Sequence, residues 1–163
     1  MRNLFLTGFM GCGKTTVGVS LADKLEYDFI DTDNIIEQEQ KMKIPEIFEV
    51  HGETHFRQLE AEKIMELSQN QYAVIATGGG ALIEEFNIEN ARKGGVLIYL
   101  QLPFELCYKR IKNSTRPLAA NKSYEEIKAL YYKRAPIYLA NADIVINADR
   151  TVHDIINSII ISL

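Results

Sequence analysis

The stretch at residues 8–16 constrains the fold of this chain more than any other. It reads Gly-Phe-Met-Gly-Cys-Gly-Lys-Thr-Thr, comes directly after an apolar run at residues 4–6 and matches the pattern G-x-x-x-x-G-K-[ST]. Glycines let such a loop turn its backbone N–H groups into one concave space at the start of a helix, where negative charge is favoured. We therefore predict a phosphate site in which Lys14 reaches the β- and γ-phosphates and the Thr15 hydroxyl ligates Mg²⁺. The alternative is a glycine-rich turn without a ligand, which the flanking strand and amphipathic helix disfavour.

Predicted strands alternate with predicted helices along the chain. Short apolar runs predict strands at residues 3–7, 27–31, 72–76, 95–100 and 143–146. Helical segments separate them, and the last helix is amphipathic, with apolar positions Val152, Ile155, Ile156, Ile159 and Ile160. This order is typical of an α/β fold in which a parallel sheet is covered on both faces. Ligands of such sheets bind at the carboxyl ends of the strands.

Two polar or flexible segments follow predicted strands and should lie at the same sheet edge as the phosphate loop. Asp31 and Asp33 end the second strand. Asp31 is a candidate for contact with the metal or its water, and Asp33 for accepting a hydrogen bond from a substrate hydroxyl, although either could instead cap the next helix. Gly78, Gly79 and Gly80 follow the third strand and allow a close approach to a ligand. We expect them to open a helix whose N–H groups favour an anion, with a flexible connection as the alternative.

Three arginines are candidates for binding anions. Arg57 and Arg134 could each bind a planar carboxylate in bidentate fashion, although spacing alone leaves a surface position open for both. Arg116 precedes a proline in the polar stretch at residues 112–123, which we interpret as a surface loop. There it could stabilise a transferring phosphoryl group as an arginine finger does, or it could simply be solvated.

Length and composition limit the possible classes. The 163 residues fit one domain, and the net charge of −4 disfavours a nucleic-acid-binding surface. The two cysteines, Cys12 and Cys107, have no metal-type spacing, so we expect free thiols in a reducing compartment. No stretch is long enough to span a membrane, and residues 11–16 interrupt the N-terminal apolar run before a secretion signal is complete. We expect a cytoplasmic protein that contacts neither nucleic acid nor membranes.

Taken together, the motifs of this chain resemble the shikimate kinase family. The resemblance extends over nearly the whole chain, in order, and is far more specific than the phosphate loop alone. The segments that carry it are residues 8–16, residues 31–33 with Ile36 and Glu37, residues 44–48 with Gly52, Glu53, Phe56 and Arg57, residues 75–80, residues 116–118 and residues 134–138.

The resemblance implies a three-layer α/β/α P-loop kinase fold of the nucleoside-monophosphate-kinase type. Residues 1–163 would form a single domain with a five-stranded parallel sheet, a lid at about residues 112–123 and a substrate-binding segment at about residues 33–60. The implied activity is ATP-dependent phosphorylation of the shikimate 3-hydroxyl, which yields 3-phosphoshikimate and ADP in aromatic amino-acid biosynthesis. We expect a monomer whose partners are these small molecules.

The resemblance also implies the roles of the residues on the acceptor side. Asp33 would hold the acceptor hydroxyls and help to deprotonate the attacking one. Arg57 and Arg134 would clamp the shikimate carboxylate. The same pocket would be lined by Gly78, Gly79 and Gly80.

On the nucleotide side, the resemblance assigns Lys14 and Arg116 to the transferring phosphoryl group. Thr15 would ligate Mg²⁺, with Asp31 in the outer shell of the ion. Arg110 would lie against the adenine. The nucleotide-binding set is then Gly11, Cys12, Gly13, Lys14, Thr15, Thr16, Arg110 and Arg116.

Two alternatives remain at this point. A related small-molecule kinase, such as a gluconate kinase, would share the phosphate loop but not Arg57, the triple glycine and Arg134 as a set. A nucleotide-gated switch without chemistry would usually carry a guanine motif N-K-x-D, of which residues 121–124 match only the first half.

Overall fold

The computed structural model describes residues 2–112 and 122–163. Within them, the strands are β1 (Asn3–Thr7), β2 (Asp28–Asp31), β3 (Ala73–Ala76), β4 (Gly95–Gln101) and β5 (Ile144–Asn147). The helices are α1 (Lys14–Leu25), α2 (Thr32–Gln40), α3 (Ile44–Leu67), α4 (Glu85–Gly94), α5 (Phe104–Ile111), α6 (Tyr124–Asn141) and α7 (Val152–Ser162), with one 3₁₀ turn at Ala81–Ile83.

The described strands form one parallel sheet in the order β2-β3-β1-β4-β5. Phe5 of the central strand β1 pairs with Ile75 of β3 on one side and with Leu97 of β4 on the other. The carboxyl ends of β1, β2 and β3 are therefore neighbours, and each leads into one of the polar segments described above. The expected α/β fold with a parallel five-stranded sheet is confirmed.

Helices cover both faces of the sheet. Because successive side chains of a strand point to opposite faces, Leu4 and Leu6 pack in a different core cluster from Phe5. The Leu4 face is covered by α1, α5, α6 and α7, and the Phe5 face by α3 and α4. A third, small cluster joins α2 to α3 and consists of Ile36, Ile47 and Phe56. The segment at residues 33–60 thus has an apolar centre of its own beside the main sheet.

Two helical boundaries refine the sequence predictions. The helix α3 is interrupted at Gly52, where φ is 83° and ψ is 166°, so it consists of two helical halves. The helix that the triple glycine was expected to open is only a short 3₁₀ helix at Ala81–Ile83, with Gly80 at its N-cap. Leu82 leaves the helical region at φ −96° and ψ 45°, and α4 begins only at Glu85. The buried side chain of Leu82 packs in the same core cluster as Phe5.

Three further predictions concern membrane spans, the cysteines and the lid. Across residues 2–112 and 122–163, no helix is long and apolar enough to cross a bilayer. Cys12 and Cys107 are both free and buried, as expected. Arg116 and most of the predicted lid lie outside the described residues.

Candidate active site

A cavity of about 810 Å³ opens at the carboxyl edge of the sheet. This volume is in the range of small-molecule sites. All the candidate site residues that the structure describes line it: Gly11, Cys12, Gly13, Lys14, Thr15, Thr16, Asp31, Asp33, Arg57, Gly78, Gly79, Gly80, Arg110 and Arg134. The topology therefore brings together residues that the sequence spreads over more than a hundred positions.

The phosphate loop closes on its own lysine. The Lys14 ammonium donates to the carbonyl oxygens of Gly8 at 2.7 Å and Phe9 at 3.2 Å, and it lies 3.7 Å from the Cys12 sulfur. Gly13 immediately precedes α1 with φ at 100°, a conformation that residues with a side chain rarely adopt. Lys14 is thus held at the start of α1, where the helix N-terminus and a lysine together favour an anion.

Thr15 and Asp31 form a polar pair at the floor of this half of the cavity. The Thr15 hydroxyl donates to Asp31 Oδ2 at 3.0 Å. The other carboxylate oxygen of Asp31 accepts from the backbone N–H groups of Asp33 and Asn34 and so caps α2. The interpretation of Asp31 as a helix cap is therefore confirmed, and the same side chain also accepts from Thr15, the candidate ligand of Mg²⁺.

The Thr15 and Asp31 oxygens fit Mg²⁺, which prefers hard oxygen ligands and usually takes only one or two of them from the protein. Among the residues that the structure describes, no cluster of three or more His, Cys, Asp or Glu side chains could hold a metal by itself. A site that the protein completes with substrate phosphates and water is consistent with this pair.

Arg110 stands at the outer side of the phosphate loop. Its guanidinium donates to the Gly11 carbonyl oxygen at 2.9 Å and is exposed. Arg150, which sequence reasoning missed, lines the same region of the cavity after β5. Its signal in the sequence was its position just beyond a strand end.

The opposite half of the cavity contains a compact network of charged side chains. Arg57 donates to Glu60, one turn further along α3, in a short contact, and to Glu53 at 3.2 Å. Glu60 is 1% exposed and Arg134 is 8% exposed. Arg57 and Arg134 are therefore not the surface residues that spacing alone allowed, because the fold turns both into the cavity.

Burial and neighbouring charges shift the pKa values in this network. Burial raises the pKa of Glu60 to about 7, and the Asp33 charge adds to this shift, whereas Arg57 and Arg134 oppose it. Burial lowers the pKa of Arg57, but the carboxylates of Glu60 and Glu53 outweigh burial and raise it above its usual value. Protonation of Glu60 therefore removes one negative charge from the surroundings of Arg57 and Arg134.

Arg134 provides the clearest demand for a ligand. Its buried Nη1 atom has no hydrogen-bond partner among the described residues. A buried guanidinium nitrogen is costly to leave without an acceptor, so an anionic group in the cavity would satisfy it.

The triple glycine lies between the charged side chains and the phosphate loop and is close to both. A Cβ atom on Gly78 would lie 2.7 Å from Glu60 Oε1 and 2.8 Å from Asp33 Oδ1, and one on Gly80 would overlap the Arg57 guanidinium. A Cβ atom on Gly79 would meet nothing nearer than 3.6 Å. Two of the three glycines are thus required by space, and they keep room for Asp33 and Arg57 in the cavity.

Sequence reasoning missed several residues of this half. Glu60 could have been found from its position three residues after Arg57, on the same helix face. Tyr138 does not line the cavity but supports it, since its hydroxyl donates to the Gly79 carbonyl oxygen, and its signal is its position four residues after Arg134 on the same face of α6. The apolar wall of the cavity, formed by Ile44, Phe48 and Phe56, had no separate signal beyond helical periodicity.

The comparisons with known proteins agree with this geometry. A family model described as "Shikimate kinase" matches residues 10–163. The chain belongs to the shikimate kinase family. A shikimate kinase of Caldanaerobacter subterraneus is 42% identical over 163 residues, covering 98% of this chain and 95% of the relative.

Solved structures place the shikimate kinase fold in a wider group. A shikimate kinase from Acinetobacter baumannii, solved in complex with shikimate, has a TM-score of 0.93 at 36% identity and covers 98% of this chain and 91% of its own. A gluconokinase from Sinorhizobium meliloti, at 14% identity and a TM-score of 0.60, covers 99% of this chain and 90% of its own and shares the fold alone. The family resemblance predicted from the motifs is confirmed. As a member of the shikimate kinase family, the protein is a P-loop kinase that uses ATP and acts on a small molecule.

Proposed function

We propose that the protein transfers the γ-phosphoryl group of ATP to the 3-hydroxyl of shikimate, yielding 3-phosphoshikimate and ADP in aromatic amino-acid biosynthesis. The observation that carries this proposal is the pairing, in one cavity, of a phosphate loop with two inward-facing arginines, one of which has a buried nitrogen without an acceptor. A carboxylate matches the planar, bidentate geometry of guanidinium groups. A polyhydroxylated acid such as shikimate offers this carboxylate and a hydroxyl to phosphorylate.

In this proposal the acceptor is held by its two ends. Arg57 and Arg134 bind its carboxylate, and the loop at Gly78, Gly79 and Gly80 lines the pocket between them. Asp33, in the first turn of α2, accepts hydrogen bonds from the hydroxyls and takes up the proton of the one that attacks. Ile44 and Phe48 cover the apolar part of the ring and exclude water.

The nucleotide is held by the opposite half of the cavity. Lys14 leaves the carbonyl oxygens of Gly8 and Phe9 to bind the phosphates, and Arg116 joins it on the transferring group. Thr15 contributes its hydroxyl to Mg²⁺ and Asp31 acts in the outer shell. The bound ion supplies neutralisation of charge on the phosphate oxygens. Arg110 lies against the adenine, and the remaining loop residues Gly11, Cys12, Gly13 and Thr16 surround the phosphates.

We further propose that the protein works as a monomer in the reducing cytoplasm, with a lid at about residues 112–123 and a substrate-binding segment at about residues 33–60. The free cysteines support the reducing compartment, and the separate apolar cluster of α2 and α3 supports the substrate-binding segment.

A coupled assay of ADP release tests the activity. With Mg²⁺ and ATP we expect turnover with shikimate and none above background with gluconate. Asp33→Asn should abolish turnover but leave binding of both substrates measurable by calorimetry, because its amide keeps the shape and loses the basicity. Turnover with gluconate alone would overturn the choice of acceptor, and tight nucleotide binding without turnover of any acceptor would favour a switch.

A further inference from the structure

Tyr138 ends the segment at residues 134–138, and the proposed function gives it no role in binding either the nucleotide or the acceptor. It lies one helical turn after Arg134, and it is 1% exposed. Its ring packs against Tyr99 of the sheet with ring centroids 5.3 Å apart. Packing of this kind would be served equally well by phenylalanine, so the hydroxyl needs its own explanation.

The Tyr138 hydroxyl connects α6 to the glycine loop. It donates a short hydrogen bond to the carbonyl oxygen of Gly79. Burial raises the pKa of Tyr138, and the charge of Arg134 and a side-chain hydrogen bond with Arg134 oppose that rise, so the arginine interacts with the same hydroxyl. One buried hydroxyl is thus placed between the arginine and the loop that together face the acceptor.

The hydrogen bond to Gly79 fixes a peptide plane. The Gly79 carbonyl and the Gly80 N–H belong to one planar trans peptide and point in opposite directions. A carbonyl held towards α6 therefore directs the Gly80 N–H away from α6. The Ala81 N–H donates to the Gly78 carbonyl oxygen at 3.0 Å and closes a turn around this peptide. Because both central residues of the turn are glycine, the turn alone allows more than one orientation of the peptide, and the Tyr138 hydrogen bond selects one.

Other side chains hold the two ends of the loop but not its centre. The Gly78 N–H donates to the Thr32 hydroxyl at 3.2 Å. Beyond the loop, the Asn87 side chain donates to the Ala81 carbonyl oxygen at 2.8 Å. Tyr138 is the side chain that reaches the peptide between these anchors.

We propose that Tyr138 is a positioning residue for the acceptor: its hydroxyl sets the Gly79–Gly80 peptide and the Arg134 guanidinium in a fixed relation, so that both can bind the same carboxylate. This inference rests on the proposed function, since it presumes an acceptor with a carboxylate at Arg134. Tyr138 should therefore affect the affinity for the acceptor and leave the affinity for the nucleotide unchanged.

The test compares two variants, Tyr138→Phe and Tyr131→Phe, each of which removes only a hydroxyl group. Tyr131 is a matched control, since it lies on the same helix, is buried and donates to the backbone carbonyl of Leu102 at 2.9 Å, but does not reach the glycine loop. For Tyr138→Phe we expect KM for shikimate to rise about 3- to 10-fold, as for the loss of one buried hydrogen bond. KM for ATP should stay within about twofold of the wild type, and Tyr131→Phe should change neither KM by more than that.

Thermal unfolding and a third variant separate positioning from packing. Tyr138→Leu removes the ring as well and should lower Tm, whereas Tyr138→Phe should unfold at nearly the temperature of Tyr131→Phe. If Tyr138→Phe leaves KM for shikimate unchanged, raises both KM values equally, or only lowers Tm, the residue serves stability and the proposal is overturned. Wild-type turnover of shikimate, measured alongside, distinguishes these results from a failure of the proposed function itself.

Discussion

The two halves of the cavity are built in different ways. The donor half consists of consecutive residues at positions 8–16, joined by Asp31 from the neighbouring strand end. The acceptor half draws Asp33 from α2, Arg57 and Glu60 from α3, Arg134 from α6 and the glycine loop from the end of β3. One half is a local motif, and the other exists only after the chain has folded.

The charges of the two halves are also satisfied differently. Lys14 is held by backbone carbonyl oxygens of its own loop. Arg57, Glu60 and Arg134 are held by one another or await a ligand. A change in the acceptor half should therefore disturb several partners at once, whereas a change in the donor half should remain local. The following variants test this difference, from the largest expected effect to the smallest.

Lys14→Met should have the largest effect and confine it to the donor half. Loss of a charged donor to the transferring group should lower kcat about 10²- to 10³-fold, because that interaction strengthens in the transition state. Lys24→Met, at the exposed end of the same helix, is the control and should behave as wild type. Steady-state kinetics for both substrates measure this. An unchanged kcat with a raised KM for shikimate would place Lys14 outside the donor half.

Arg57→Ala should act on the acceptor alone. Losing one partner of a buried charged pair costs about 2–5 kcal/mol, so KM for shikimate should rise about 10²-fold while KM for ATP changes little. The protein should stay folded because Glu60 can take up a proton. Glu53→Gln removes only the more exposed contact of Arg57 and should have a small effect. Equal changes in the two KM values would contradict the division into halves.

Gly78→Ala and Gly79→Ala form a matched pair. The new methyl group on Gly78 would press on Glu60 and Asp33, so kcat/KM for shikimate should fall about 10-fold or more through displacement of these side chains. The methyl group on Gly79 meets only ordinary contacts and should be tolerated. Kinetics on both variants decide the matter, and equal losses would show that flexibility rather than space matters in this loop.

The smallest effect should be a pH dependence of acceptor binding that originates in Glu60. Its pKa of about 7 means that it gains negative charge as the pH rises through neutrality. That charge lies beside Asp33, Arg57 and Arg134 and repels an acceptor carboxylate. Affinity for shikimate, measured by calorimetry, should therefore fall about threefold from pH 6 to pH 8.

Glu60→Gln provides the control for this pH dependence, because it keeps an oxygen for Arg57 and cannot ionise. In this variant the affinity should be nearly constant over the same range. A slope that persists in Glu60→Gln would assign the titration to another group.

The raised pKa of Glu60 also has a consequence for the stability of the fold. A carboxyl group whose pKa is raised in the folded state makes folding less favourable as the pH rises from the pKa of the unfolded state towards about 7. The difference in Tm between Glu60→Gln and the wild type should therefore shift in favour of the variant between pH 5 and pH 8.

The fold and the donor half could be read from the sequence to a large extent. The described strands begin and end within one residue of the predicted positions, because apolar runs are local signals. The phosphate loop needs contiguous glycines and a lysine, so its motif survives without tertiary information. For Asp31 the sequence left a helix cap and a contact with the metal or its water as alternatives. The structure shows the cap and, in addition, a hydrogen bond from the Thr15 hydroxyl, while the contact with the metal stays a prediction.

The sequence by itself determined the family, the sheet and the identity of the donor half. Only the tertiary structure decided that Arg57 and Arg134 line one cavity, with Arg134 buried and Arg57 half-buried. It also decided that Glu60 joins them with a raised pKa, that a 3₁₀ turn follows the triple glycine and that Tyr138 donates to the carbonyl oxygen of Gly79. The physical reason is the separation along the chain of the residues that interact. Hydrophobic period and backbone conformation are set by neighbours along the chain, whereas burial, desolvation and charge pairing depend on segments that meet only when the strand ends are brought to one edge of the sheet.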